Sequence, residues 1–207
     1  MAIITGDLHH VVAQAFSNAK IDNIKLINEM GFDTDFYKVQ VESFGENGIY
    51  FNSISENRFS IRNKTKGVMY LATTPHTALK EYYQDEAFVD TEDFEKNCMA
   101  VIQAARKIKV IDLAALAPLL NIPVGDLMGP KVVYGETQLL AEVLSGYADG
   151  MEYLSRHTGK PCIALWSDAV DGNGMLKNSS VTPLSQYSHN GKSAEQILKS
   201  QLNIRIL

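Results

Sequence analysis

Gly67-Val-Met-Tyr-Leu-Ala72, followed by Pro75-His-Thr-Ala-Leu-Lys-Glu81, decides how this chain folds. The apolar run from Val68 to Ala72 predicts a buried strand. Thr73 or Thr74 then stands where a helix cap is needed, with Pro75 in the first turn, where its missing N–H costs nothing. Ala78, Leu79, Tyr82 and Tyr83 supply the apolar side of that helix, and Glu81 is presented on its second turn. Upstream stands Arg58-Phe59. A loop–strand–helix unit of this kind brings a guanidinium and a carboxylate to one cleft. Arginine offers a planar donor fork for phosphate, while a carboxylate holds sugar hydroxyls or steadies positive charge developing at a sugar carbon. That pairing implies enzyme chemistry on a nucleotide ahead of a plain binding module.

Working outward, Phe36 to Val41 alternates as a strand, with Tyr37, Val39 and Val41 on one face and Lys38 on the other. Before it, Asp7 to Met30 is helix-prone through Val11, Val12, Ala15, Phe16, Ile21, Ile24 and Ile27, and Gly31 reads as its terminator. We divide the chain into an N-terminal helical extension, residues 1–31, and a main domain, residues 32–207. Between Glu42 and Asn57 lies a polar, Gly- and Asn-rich loop interrupted by a short strand or turn at Ile49-Tyr-Phe51. Glu92 to Ala105 reads as a helix. Ile108 to Ile111 reads as a strand running into Asp112, the cap of a following helix. Gly135 to Gly146 is helical, with Thr137, Leu140, Val143 and Leu144 at helical spacing. Cys162 to Trp166 is strand-like. Asp168 to Gly191 is read as a surface loop before a short helix and a final strand, Leu202 to Leu207. Strands alternating with helices predict an α/β or α+β domain.

The 207 residues are 45% hydrophobic, enough for a substantial core, so wholesale disorder is excluded. Nineteen basic residues face 24 acidic ones, without a basic stripe, which argues against nucleic-acid binding but leaves room for a local phosphate pocket. No basic head precedes an apolar run, and no stretch is long enough to span a bilayer. A cytoplasmic protein that does not engage membranes is the expectation, with export by a dedicated secretion machine left open. Cys98 and Cys162 stand in unrelated contexts and are expected as buried thiols.

Signatures of other chemistry are missing. His9-His10 beside Asp7 lacks the spacing of a metal site, so no metal is expected. Ser155 and His157 are close in sequence, but no nucleophile-elbow pattern surrounds the serine. The phosphate loop and the dinucleotide-binding glycine fingerprint are both absent.

Several ordered pieces remain: Phe36-Tyr-Lys-Val39, Arg58-Phe59, Val68-Met-Tyr-Leu-Ala72, Thr77-Ala-Leu-Lys-Glu81, Ile111-Asp-Leu113, Thr137, Gly150-Met-Glu-Tyr-Leu-Ser-Arg156 and Cys162-Ile-Ala-Leu-Trp166. In this order they resemble the RES domain family, known mainly as toxins of bacterial toxin–antitoxin pairs. The resemblance implies an α+β fold like that of ADP-ribosyltransferases: a split mixed β-sheet with surrounding helices. It implies NAD as substrate, not cofactor, cleaved at the nicotinamide–ribose bond with water or phosphate as acceptor. Modification of a protein by ADP-ribose transfer is the alternative activity, and a catalytically inactive interaction module is the non-enzymatic one. It also assigns Arg58, Glu81 and Ser155 as catalytic, and Lys38, Arg58, Tyr70 and Ser155 as NAD-binding. A tyrosine among Tyr50, Tyr70 and Tyr82 is expected to stack on a ring. Lys38 stands where the family often has arginine, which keeps the charge but loses the bidentate fork. The implied partner is a cognate antitoxin or an immunity protein. Oligomeric state stays open, self-association included.

Overall fold

A computed structural model describes residues 7–42 and 46–207. The first six residues of the extension, and residues 43–45 of the expected long loop, lie outside it. Eight strands form one sheet in the order β1-β6-β7-β8-β3-β2-β5-β9: β1 Ile27–Met30, β2 Asp35–Val41, β3 Gly67–Ala72, β5 Asn97–Ala104, β6 Ile108–Asp112, β7 Gly150–Leu154, β8 Pro161–Ser167 and β9 Leu176–Pro183. Only β6 and β7 run parallel; the other neighbours are antiparallel. The sheet is therefore mixed, and it is also split. Where β2 pairs with β5 through seven residues from Asp35 to Val41, it meets β3 through the single pair Tyr37↔Ala72. A five-stranded half (β1, β6, β7, β8, β3) and a three-stranded half (β2, β5, β9) diverge from that point.

Helices cover one face: α1 Leu8–Ile21, α2 Pro75–Tyr83, α4 Leu113–Leu119, α6 Tyr134–Leu144 and α7 Ala194–Gln201. Val68 and Ala72 of β3 pack there with Leu79, Leu116, Leu140, Leu144 and Leu198. Each such leucine contributes about 1.5–3 kcal/mol on burial. The other face collects Met69 and Leu71 with Phe36, Phe51, Ile102, Ile163 and Leu165. The alternation along β3 thus explains its continuous apolar run: both of its faces are buried. Gly67 admits the loop over this second face, since a Cβ there would lie 2.4 Å from the Phe51 carbonyl oxygen.

The α+β split sheet expected from the resemblance is present, and α2, α4 and α6 form as read. Thr74 caps α2, its hydroxyl accepting from the Thr77 N–H, and Asp112 caps α4. Five local expectations need correction. Helix does not continue to Met30: α1 ends at Ile21, Asn23 turns left-handed (φ 56°), and Ile27–Met30 pairs with β6 as the edge strand. Residues 92–105 are not one helix. Thr91–Glu95 makes a short α3, and Asn97–Ala104 is the central strand of the smaller half, its backbone groups paired on both sides by β2 and β9. Such pairing outweighs local preference. The loop expected over 168–191 contains β9, an edge strand whose exposed Lys177-Asn-Ser-Ser180 keeps a polar outer surface. Ile49 and Phe51 are buried packing groups in a segment whose only ladder contact is the bridge Asn52↔Val68. The final strand is only Arg205–Ile206 (β12), parallel to β4 at Phe88–Val89. Val12, Ala15 and Ala19 seat α1 in the core, and Phe16 stacks on Tyr147 with ring centroids 4.5 Å apart. Both cysteines are free and buried.

Candidate active site

The split opens into a cavity of about 360 Å³, within the roughly 300–1,000 Å³ usual for small-molecule sites. β2 lines it with Tyr37, Lys38 and Val39, β3 with Tyr70, Leu71 and Ala72, and α2 with Ala78, Glu81 and Tyr82. Tyr37 and Lys38 are successive residues of one strand, so their side chains leave opposite faces. Both reach the cavity because β2 has no continuous neighbour on this side.

Arg58 lies between β2 and β3 on a backbone tied down by three side chains. The Phe59 N–H donates to the Tyr70 hydroxyl (3.0 Å), Thr137 Oγ1 donates to the Arg58 carbonyl (2.7 Å), and Trp166 Nε1 donates to the Phe59 carbonyl (2.9 Å). Thr137 is fully buried and Trp166 nearly so. The guanidinium donates through Nη1 to the Leu127 carbonyl (3.2 Å) and sits 5.0 Å above the Tyr134 ring. A cation over an aromatic face gains roughly 0.5–1 kcal/mol at an accessible site. One of five N–H donors is used by that carbonyl, and the fork keeps capacity for an anion.

Glu81 is fixed differently. Its Oε1 accepts a 2.5 Å hydrogen bond from Ser155 Oγ. The same serine oxygen accepts from the His157 (3.2 Å) and Thr158 (3.1 Å) backbone amides. These bonds belong to a turn closed by Ser155 N–H to Lys160 O and Gly159 N–H to Ser155 O, in which Gly159 takes φ +65°. Ser155 is 2% exposed and stands behind the cavity wall, where its proton goes to the carboxylate. It orients Glu81. Nearby, burial and then the Cys162 and Glu81 charges push the Tyr153 hydroxyl well above its ordinary range. Burial, reinforced by Glu81, pushes the Cys162 thiol up to about 12. Both stay protonated at neutral pH, so neither adds charge to this wall and Cys162 is no nucleophile.

Lys38 contrasts with Arg58. Half-buried on the cavity wall, it has no hydrogen-bond or ion-pair partner among the described residues. Burial alone pulls its pKa below the ordinary lysine value. A desolvated ammonium without a counter-ion is costly unless a ligand supplies one.

Arg58, Glu81, Lys38 and Tyr70 thus line one cavity, with Ser155 held against Glu81 from behind. Burial raises the Tyr70 hydroxyl to about 12, and its oxygen is engaged by the Phe59 amide. Of the other tyrosines considered, Tyr82 lines the cavity and Tyr50 does not. Sequence reading missed Tyr37, Tyr134, Arg156, His157 and Gln84, all on the wall. The turn after Ser155 was a usable signal, because Arg156 and His157 follow it directly; His157 Nδ1 lies 3.4 Å from Asp85 and its Nε2 accepts from Arg156 Nε. Nothing local marks Tyr134, which meets Arg58 only through the packing of α6. Among the described residues, no cluster of three or more metal-type ligands occurs, and no helix is long and apolar enough to cross a membrane.

Split sheet, cavity and an arginine and a carboxylate on its wall together define an α+β domain with a cleft of small-molecule size. The RES domain model matches residues 40–184, well over half of the chain, and the protein belongs to that family. In fold it is similar to a chain of the crystal structure of the M. tuberculosis MbcT–MbcA toxin–antitoxin complex, with a TM-score of 0.58 and 12% sequence identity over 86% of this chain and 95% of that one. No curated protein matches it in sequence.

Proposed function

We propose that the protein is an NAD-degrading toxin that cleaves the nicotinamide–ribose bond without a metal ion. The observation that carries this reading is the gathering of Arg58, Lys38 and Glu81 on one cavity in the sheet's split. NAD presents a diphosphate, ribose hydroxyls and a positively charged nicotinamide. Arg58 and Lys38 are the cations for the diphosphate, and Glu81 is the anion for the ribose. When the C1′–N bond breaks, its electron pair goes to the nicotinamide nitrogen, which leaves neutral. The positive charge moves to the ribose as an oxocarbenium-like centre. No acid is needed at this step. What is needed is a fixed negative charge, and Glu81 supplies it, held in place by Ser155 so that little reorganisation accompanies the reaction. The acceptor oxygen, from water or phosphate, then bonds to C1′ and releases its proton.

A cytoplasm losing NAD is harmed, so such an activity requires a restraining partner. An antitoxin or immunity protein fits this need, and the similarity in fold to a chain of a toxin–antitoxin complex supports it. The test is NAD loss and nicotinamide release by purified protein with chelator present, with and without phosphate. Release under chelation is expected, and stimulation by phosphate marks phosphorolysis. Intact NAD at high protein concentration would overturn the proposal.

A further inference from the structure

We infer that Gln84 is a substrate-contacting, specificity-determining residue that reads the carboxamide of the leaving group; this rests on the NAD reading above. Gln84 ends α2 with φ 49° and ψ −115°, its N–H donating to the Lys80 carbonyl at 2.7 Å. Positive φ with strongly negative ψ lies outside the small left-handed region open to L-residues and is glycine territory. Helices that need such a terminus usually place glycine there. Elsewhere among the described residues positive φ falls mostly on glycine, Asn or Asp: of the non-glycine residues that adopt it, only Lys64 and Gln84 are neither Asn nor Asp. Gln84 alone among them lines the cavity.

Backbone strain at a ligand site signals a side chain retained for its contacts. Gln84 is exposed on the cavity wall, and its amide has no hydrogen-bond partner among the described residues, leaving it available to a ligand. It carries two donors and an acceptor, the complement of another carboxamide. Its position narrows the choice. Gln84 follows Glu81 by three residues and lines the same cavity, so it serves the part of the ligand next to the reacting ribose carbon. There the diphosphate has its cations and the ribose has Glu81. The carboxamide of the departing base is the remaining polar group without a partner.

The experiment compares wild type, Gln84→Ala and Gln84→Gly on NAD and on its analogue with a nicotinic acid carboxylate, reading kcat/KM for each and thermal midpoints for all three proteins. Wild type is expected to prefer the carboxamide. Both variants should lose about tenfold or more of that preference, as when a paired hydrogen-bonding group is removed. Gln84→Gly should melt above Gln84→Ala because glycine relieves the backbone. Unchanged preference in both variants, or an equal loss on the two dinucleotides, would overturn the inference while leaving NAD cleavage standing. A wild-type protein inert toward both would overturn the NAD reading and this inference together.

Discussion

The two halves of the split sheet treat their charged groups in opposite ways. On the five-stranded side, Arg58 is held by Thr137 and the Leu127 carbonyl, the next residue Phe59 is fixed by Tyr70 and Trp166, and Glu81 is tethered to Ser155 at the end of β7. On the three-stranded side, Lys38 has no partner among the described residues and is desolvated. Pre-organised charges stabilise a transition state because they need not move during the reaction. A loosely held ammonium contributes mainly to capture. Under the proposed NAD cleavage, catalysis falls to the larger half and capture of the ligand to the smaller one.

The largest expected effect comes from breaking the held side. Arg58→Ala should lower kcat/KM by roughly 10²–10³, the scale for removing one pre-organised electrostatic contact, as read by steady-state nicotinamide release. Next is Ser155→Ala, which leaves Glu81 in place but removes its donor. A hydrogen bond to a charged group contributes about 1.5–3 kcal/mol, so kcat should fall roughly ten- to hundredfold with KM little changed. A rise confined to KM would show that Ser155 touches substrate and would blur the contrast. Lys38→Ala should do the reverse, raising KM with kcat nearly intact. Because burial lowers the Lys38 pKa, wild-type KM should begin to rise with pH below the ordinary lysine range, as the ammonium loses its proton. A pH series of KM for wild type and Lys38→Ala checks this, the variant lacking the rise.

The smallest effect concerns the frame of the larger half. Burial disfavours the Asp149 charge, but the bidentate bond from Arg106 and the Lys109 amide outweigh it and hold the carboxyl below its usual range. A depressed carboxyl stabilises the fold above its unfolded pKa, and that stabilisation is lost as pH falls through the folded value. Asp149→Asn should therefore melt below wild type at neutral pH, with the gap closing in acid below the unfolded pKa of about 3.9. A gap independent of pH would contradict the assignment.

Legibility followed locality. The β3–α2 unit was readable because strand, cap, Pro75 and Glu81 are contiguous and each local signal agrees with the fold. Asp112 and α6 were readable for the same reason. Asn97–Ala104 was not, because its apolar run suits either period and only pairing with β2 and β9 decides it. β9 was hidden by a polar composition that its edge position explains. In the site, residue types pointed to Arg58 and Glu81, and the family resemblance added Ser155, Lys38 and Tyr70. Roles for two of them depended on long-range geometry: Ser155 bonds a residue 74 positions away, and the Tyr70 hydroxyl accepts from the Phe59 backbone. Tyr134 and Gln84 join the wall through packing and an unusual backbone, which no short pattern encodes.

The central claim is that a carboxylate fixed from behind drives cleavage of the nicotinamide–ribose bond. Nicotinamide release by wild type and by Glu81→Gln, each verified as folded by its melting curve, tests it most directly. Glutamine keeps the size and can still accept from Ser155 but removes the charge. The account predicts release by wild type and a rate at least about 10²-fold lower in Glu81→Gln. Equal rates in the two folded proteins would contradict it.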